Sequence, residues 1–336
     1  MTAKIRDVAR LAGVSPGTVS RVVHNRGYIS QTTKAKVSEA IQKLDYRPNA
    51  IASRLVSGKT SILGLLVPNL QESYYVEITD AIIETTKNIG YSLLVTTTHG
   101  NSSHLTDFLC KGNMDGLLVI TPHYIEEELS LITRQEIPCV MINYYAAEGQ
   151  MFPAVYCDQF KVGYFATQYL IDLGHRHIGF CTSDTNSPSP MKRFQGCLQA
   201  LTTARLDVKG NHIRDMSQKL QKDPIREIRA WIHEGDLPSA IFVFSDDIAL
   251  YIMDALKDAG YKIPDDISVV GCGNMLLSTR TIPPLTTIDQ HTYEMGIKSV
   301  EMLMHMMTAP HETACPVHVI EPQIIIRESC RKSPIS

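Results

Sequence analysis

The segment Asp7-Val8-Ala9-Arg10-Leu11-Ala12-Gly13-Val14-Ser15-Pro16-Gly17-Thr18-Val19-Ser20-Arg21-Val22-Val23 reads as two short helices and the turn between them. Ile5, Val8, Ala9 and Ala12 recur at helical spacing, and Gly13 breaks the pattern. Ser15 can cap a second helix, with Pro16 at its first position, where a missing N–H costs nothing. That helix turns Val19, Val22 and Val23 inward and leaves Gly17, Thr18, Ser20, Arg21 and His24 on its other faces. Two such helices joined by a tight turn form a helix-turn-helix. A third helix from near Ser30 through Val37, Ala40, Ile41 and Leu44 closes a three-helix bundle, with Lys34, Lys36 and Lys43 outward.

The next stretch, Arg47-Pro48-Asn49-Ala50-Ile51-Ala52-Ser53-Arg54-Leu55-Val56-Ser57-Gly58-Lys59, brackets about two helical turns between Pro-Asn and Gly. A helix that short is marginal alone, because nucleation is costly. Residues 1–60 carry eleven Lys or Arg against Asp7, Glu39 and Asp45, a net +8; with −3 for the whole chain, the remainder stands at −11. A basic segment on an acidic body is the electrostatic pattern of a DNA-binding head attached to a domain with another task. The eight cysteines, Cys110, Cys139, Cys157, Cys181, Cys197, Cys272, Cys315 and Cys330, lack C-x-x-C or ligand-like spacing and read as thiols of a reduced compartment rather than disulfide or metal partners. The N-terminus has no apolar signal-like run and no stretch is long enough to span a bilayer, so the expected location is the cytoplasm.

From Ser61 the texture changes to apolar strands followed by amphipathic helices. Strands are expected at 62–67, 92–97, 116–120, 139–142, 178–181, 241–244 and 267–271; helices at 76–88, 161–173, 193–203, 225–233 and 248–259, with a late return through 286–289 and a helix at 293–307. This alternation argues an α/β body of parallel sheets covered by helices on both faces. Two lobes fit its length better than one. The expected division is 1–46 for the helix-turn-helix domain, 47–60 for a hinge helix and linker, and 61–330 for sensing and dimerisation. Lobe 1 takes about 61–159 and 290–320, and lobe 2 about 160–289 and 321–330.

Enzyme motifs are missing: no G-x-S-x-G, P-loop or H-E-x-x-H occurs, and Gly271-Cys272-Gly273-Asn274 lacks the rest of a dinucleotide fingerprint. The chain is therefore expected not to be an enzyme and to need no cofactor. Gly174-His175-Arg176-His177 reads as a helix end whose basic residues favour the negative pole, not a metal site. Met302, Met304, Met306 and Met307 read as gap-filling core and interface residues, and Asp246-Asp247 as helix caps.

The helix-turn-helix segment, its place in the basic region and the Tyr46-Arg47-Pro48-Asn49 hinge together resemble the lactose/galactose repressor (LacI/GalR) family. The resemblance runs on through Asp115-Gly116-Leu117-Leu118-Val119, Asp172-Leu173-Gly174-His175-Arg176-His177-Ile178-Gly179, Arg193-Phe194-Gln195-Gly196, Asp266-Ile267-Ser268-Val269-Val270-Gly271 and Pro284-Leu285-Thr286-Thr287-Ile288. It implies a recognition helix in the major groove, read by Pro16, Gly17 and Arg21. Ser15, Thr18, Ser20, Asn25, Tyr28, Ser30, Thr33 and Tyr46 then lie near phosphates. Pro16 and Gly17 offer no side-chain hydrogen bond, so specificity leans on Arg21, His24 and the hinge. The resemblance makes 49–57 a minor-groove helix paired with its copy, including Asn49, Ala52 and Ser53. Leu55 is its wedge into a central base step, or else a leucine packed on the body.

By the same resemblance the body is like periplasmic sugar-binding proteins, with a ligand between its lobes. Positions matching pocket residues are Tyr74, Tyr75, Thr121, Arg193, Asp246 and Asn274. Two departures stand out. Cys272-Gly273-Asn274 replaces the aspartate-bearing motif of many sugar sensors, and Ser187 stands where purine-sensing members carry a second arginine. Both a standard hexose and a purine are put in doubt, leaving an unusual sugar, a sugar phosphate or an empty pocket. The expected partners are double-stranded operator DNA, a carbohydrate-like effector and a second copy of the chain, with no membrane. A dimer rather than a tetramer is expected, because 331–336 carries no leucine heptads. Two alternatives are a regulator gated by a partner protein, favoured by the missing aspartate, and a solute-binding transport protein, disfavoured by the basic head.

Overall fold

The computed structural model describes residues 3–23, 27–46, 59–97, 108–109, 113–120, 130, 132–134, 137–145, 152–182, 187–216, 224–309 and 315–333. The chain divides into two compact units, Met1–Thr60 and Ser61–Ser336.

The first unit holds α1 (Ile5–Ala12), α2 (Pro16–Val23) and α3 (Gln31–Lys43). Gly13 ends α1 in the left-handed region at φ 67°, a conformation that costs glycine nothing. The Ser15 hydroxyl accepts from the Thr18 N–H at 3.1 Å, opening α2. Ser30 does the same for α3 through the Thr33 N–H at 3.3 Å. The core is made of small side chains, Val8, Ala9, Ala12, Val19, Val37 and Ala40, with Val22, Val23, Ile41, Leu44 and Tyr46 packed around it.

The second unit contains two six-stranded sheets. The first is built from β1 (Ile62–Val67), β2 (Ser92–Thr97), β3 (Gly116–Ile120), β4 (Cys139–Ile142), β5 (Ala154–Cys157) and β11 (Val317–Ile320), in the order β11-β5-β4-β3-β1-β2 and parallel throughout. The second is built from β6 (Ile178–Thr182), β7 (Ile213–Asp215), β8 (Ala240–Val243), β9 (Ser268–Cys272), β10 (Thr286–Asp289) and β12 (Gln323–Ile325), ordered β12-β10-β9-β8-β6-β7. Only β12 runs antiparallel, against β10. Both sheets follow the doubly wound pattern whose ligands sit beyond the carboxyl ends of the strands.

Among the helices are α4 (Ser73–Asn88), α5 (Gln159–Asp172), α6 (Pro188–Thr203), α7 (Pro224–Glu234), α8 (Asp246–Asp258) and α9 (Thr292–Thr308). The chain passes from the first sheet to the second after β5, returns after β10, and crosses again between β11 and β12. Helix α9 packs on α4 and the first sheet, α5 on α6 and the second. The contact between α5 and α6 is a backbone-to-backbone approach. A Cβ on Gly163 would lie 1.8 Å from the Arg193 carbonyl oxygen, and one on Gly196 1.9 Å from that of Phe160.

Several details differ from the sequence reading. Strands β5, β7, β11 and β12 were not expected; they are short or lie at sheet edges, so pairing rather than an apolar run defines them. Helices α4, α5 and α6 start earlier than periodicity suggested. Pro188 opens α6, and the Asp158 carboxylate caps α5 by accepting from the Lys161 N–H at 3.1 Å. His175 is not a cation at a helix end but a buried imidazole, with Nδ1 3.0 Å from Ser239 Oγ and Nε2 3.1 Å from Ser268 Oγ and from the Arg331 carbonyl. Burial holds its pKa below the ordinary value. Met302, Met304, Met306 and Met307 pack partly buried against the body core. Cys139, Cys157, Cys181, Cys197, Cys272, Cys315 and Cys330 are free thiols; Cys110 lies outside the described residues. No described helix is long and apolar enough to cross a membrane.

Candidate functional site

Within the first unit, Ser15, Pro16, Gly17, Arg21, Tyr28 and Ser30 are exposed, and Thr18, Ser20, Thr33 and Tyr46 are half-buried. Tyr28 is 99% exposed, an expensive place for an aromatic ring that has no partner surface. The hydroxyls of Ser15 and Thr18 lie 2.9 Å apart, and those of Ser30 and Thr33 2.8 Å apart, each pair at the start of a helix. Helix starts present unsatisfied N–H groups and the positive end of the macrodipole, the arrangement that receives phosphate oxygens. Arg21, in the last turn of α2, forms no ion pair among the described residues and keeps its fork available. His24, Asn25, Asn49, Ala52, Ser53 and Leu55 lie outside the described residues.

In the body, the expected effector residues follow the carboxyl ends of strands. Tyr74 and Tyr75 open α4 after β1, their rings 5.4 Å apart and edge to face. Tyr75 is buried and Tyr74 half-buried, its hydroxyl 3.9 Å from Met295 Sδ. Burial pushes the Tyr74 phenol well above its ordinary range, while the Arg193 charge pulls it down. Thr121 lies outside the described residues.

Arg193 is 6% exposed and bonded to protein through all three of its nitrogens, so the side chain that the resemblance assigns to the effector also has a structural task. Its Nε donates to Gln159 Oε1 at 2.9 Å and Nη1 to the Phe244 carbonyl at 2.5 Å; Nη2 donates to Gln159 Oε1 at 2.5 Å and to Gln290 Oε1 at 3.3 Å. Gln159 also donates to Gln290 at 2.7 Å. These two glutamines stand at the first and second crossings between the lobes, so Arg193 ties both crossings to α6. The guanidinium also faces the Phe244 ring at 5.3 Å.

Asp246 and Asn274 form a second group. The buried Asp246 carboxylate accepts from the Met275 N–H at 2.9 Å and the Thr287 hydroxyl at 2.6 Å. Burial raises its pKa to about 6, against the lowering by these two bonds. Asn274 adopts φ 54°, donates to Asp289 Oδ2 at 2.9 Å and accepts from Arg327 at 2.5 Å. Helix capping does not describe the acid pair: Asp246 serves the loop after β9, and Asp247 accepts from the Ser73 hydroxyl of the other lobe at 2.8 Å.

The structure thus joins Tyr74 with Tyr75 and Met295, Arg193 with Gln159, Gln290 and Phe244, and Asp246 with Asn274 through Thr287. It adds residues the sequence did not single out, namely Gln159, Gln290, Ser73, Lys192 and Tyr145, and gives Asp247 a role other than the cap expected of it. Tyr145, just past β4, is buried and donates to the Cys157 carbonyl. Lys192 Nζ lies 5.3 Å from the centre of its ring, reaching across from the second lobe. Only Tyr145 carried a usable signal, as an aromatic residue immediately after an apolar strand. Among the described residues no group of three or more His, Cys, Asp or Glu is placed to hold a metal.

Residues 4–49 match the family model of bacterial regulatory proteins, lacI family, and residues 167–330 match that of a periplasmic binding protein-like domain. The HTH-type transcriptional repressor PurR of Actinobacillus pleuropneumoniae serotype 3 (strain JL03) is 32% identical over 352 residues, covering 98% of each chain. The chain belongs to the lacI family of bacterial regulatory proteins. The PurR repressor of Histophilus somni (strain 129Pt) is likewise 32% identical, over 98% of this chain and 99% of its own. Among solved structures, the lac repressor dimer bound to operator and the anti-inducer ONPF superposes with a TM-score of 0.86 at 24% identity, over 98% of this chain and 100% of that one. The regulator CelR in complex with cellobiose gives 0.73 at 25% identity, over 97% and 99%. Membership of this family makes the chain a DNA-binding transcriptional regulator with a ligand-binding body.

Proposed function

We propose that the chain is a cytoplasmic, non-catalytic repressor that binds a pseudo-palindromic operator as a homodimer and is switched by a carbohydrate-like effector held between the lobes of the body. The observation that carries this reading is the unit Met1–Thr60. Ser15, Pro16, Gly17, Arg21, Tyr28 and Ser30 are all exposed on a segment of net charge +8. Polar and aromatic groups spread over so basic a surface match a duplex better than a protein partner. In this reading α2 lies in the major groove, Arg21 reads a guanine edge, and the two capped helix starts grip phosphates. Tyr46 lies at the exit from the head; Asn49, Ala52, Ser53 and Leu55 enter the minor groove, with Leu55 as wedge. The dimeric lac repressor on operator and the cellobiose complex of CelR support a symmetric, effector-gated arrangement.

Operator selection from a random duplex library with the full chain tests the proposal. The expected product is an inverted repeat with half-sites one helical turn apart. Leu55→Ala should lower affinity for it by about 2–4 kcal/mol and reduce the bend, while random duplex is bound as before. Recovery of no consensus, or of a single asymmetric site, would refute the dimeric reading. An equal loss on both DNAs would refute the wedge.

A further inference from the structure

We propose that Asp247 is a latch between the lobes, which holds the body closed over its candidate pocket when no ligand is bound. The inference rests on the effector-gated reading above and adds to it a resting state set by the chain's own residues.

Asp247 stands in the first turn of α8, in the second lobe, yet its hydrogen bonds leave that lobe. Oδ1 accepts from the Ser73 hydroxyl at 2.8 Å and Oδ2 from the Ser73 N–H at 3.3 Å, both at the first residue of α4 in the first lobe. Among the described residues the carboxylate has no other hydrogen-bond donor and no cation beside it. The start of α4 is open to such a group. Glu72, the residue before it, makes no side-chain cap bond. Asn69 Oδ1 takes the N–H groups of Gln71 and Glu72, at 2.9 and 3.1 Å, and stops short of Ser73. The Ser73 N–H therefore finds its acceptor across the cleft, and α4 is capped by a side chain 174 residues away. A carboxylate is favoured there by the unpaired N–H groups and the positive end of the macrodipole.

The place of this pair in the fold makes it a latch. The chain crosses between the lobes beside β5, β10, β11 and β12, and these strands stand first and second in the order of their sheets. Ser73 follows β1, fifth in the first sheet, and Asp247 follows β8, fourth in the second. The pair thus bridges the lobes away from the crossings, where a small rotation separates them most. Arg193, by contrast, bonds to Gln159 and Gln290 at the crossings themselves, where the same rotation moves little. Ser73 leads directly into Tyr74 and Tyr75, so the latch also fixes the start of the helix that carries both rings. Its strength suits a switch. A charge-assisted hydrogen bond is about twice as strong as a neutral one, but closure takes from the carboxylate the water that serves it in the open form. The difference is small, which keeps the two forms close enough in free energy for a ligand to shift their populations.

The test reads the distance between the lobes in the full chain, without ligand, by double electron–electron resonance. Nitroxide labels are attached to a ketone-bearing residue introduced in place of the exposed Lys87 of α4 and Lys257 of α8, which leaves the native thiols unlabelled. An excess of unlabelled chain confines the label pairs to one protomer. The parent should give one narrow distance. Asp247→Ala should broaden it and shift it to longer values, and Ser73→Ala should do so less, because the Ser73 N–H remains. The double variant should match Asp247→Ala, since both changes sever one contact and are not additive. Thermal unfolding verifies that each variant folds. A carboxylate that merely caps α4 would lower the melting midpoint on removal and leave the distance alone. That result, or shifts that add in the double variant, overturns the latch. A longer distance in Asp247→Ala, in a chain that binds no sugar in a calorimetric carbohydrate screen, would keep the latch and sink the effector reading. An unchanged distance in a chain that binds a sugar would do the reverse.

Discussion

The head buries Val8, Ala9, Ala12, Val19, Val37 and Ala40, whereas the body buries Phe180, Phe242, Leu63, Ile78 and many side chains of that size. The polar groups proposed to bind, or bonded to those that are, are distributed the opposite way. In the head, Ser15, Arg21, Tyr28 and Ser30 stand in solvent; in the body, Arg193, Asp246 and Gln290 are buried. A small core can support a reading surface only if that surface contributes little to folding. A large core can enclose its binding groups, at the cost of making them structural as well. Changes to the head's face should therefore alter function alone, while changes to the body's cleft should alter stability and function together.

The largest effect should follow from charging the head's core. Val37→Asp places a carboxylate in a fully buried site with no partner, a loss of more than about 4 kcal/mol, beyond what so small a bundle holds. Circular dichroism and operator binding should show loss of the head's helices and of sequence-specific binding, with the body's thermal transition retained. If the body melts with it, the two units are not separable in stability.

Next in size is the α5–α6 contact. Gly163→Ala drives a methyl group into the Arg193 carbonyl oxygen, so the helices must separate, and Arg193 moves with α6. Stability of the body should fall by about 3 kcal/mol. Denaturant melts that leave the midpoint in place would show that the two helices have slack.

Asp246→Asn tests the same principle with the opposite sign. The carboxyl has an ordinary pKa of 3.8 and one of about 6 in the folded chain, so folding favours its protonated form. That contribution is fully present below pH 4 and is lost as pH rises through 6; at pH 7 ionisation costs about 2–3 kcal/mol. Asparagine can still accept from the Met275 N–H and meet Thr287. The variant should be more stable than the parent at pH 7 and indistinguishable near pH 4. Parallel pH profiles would mean that the buried acid is not destabilising.

How much the sequence revealed follows the same division. The head was legible because its determinants are local: Gly13 at a helix end, Ser15 as a cap, Pro16 at a first turn, valines at helical spacing. Strands such as β1, β3 and β4 were legible as apolar runs. Strands β11 and β12 were not, since Val317–Ile320 is mostly exposed and Gln323–Ile325 has three residues; each exists because β5 or β10 lies beside it. In the cleft, family resemblance pointed to Arg193 and Asp246 but not to their partners. Gln159 and Gln290 are 131 residues apart, and nothing local marks a glutamine as the hinge-side acceptor of a buried arginine.

The central claim is that the head's exposed face reads DNA sequence, and Arg21→Ala examines it most directly. Affinities of parent and variant for the selected operator and for random duplex should be measured across a salt series. On the operator the variant should lose about 1–3 kcal/mol, with relaxed preference at the base pair Arg21 reads. On random duplex it should lose little, and the salt slope should change by no more than about one phosphate contact. An equal loss on both DNAs, with the base preference intact, would make Arg21 a phosphate contact and contradict the account.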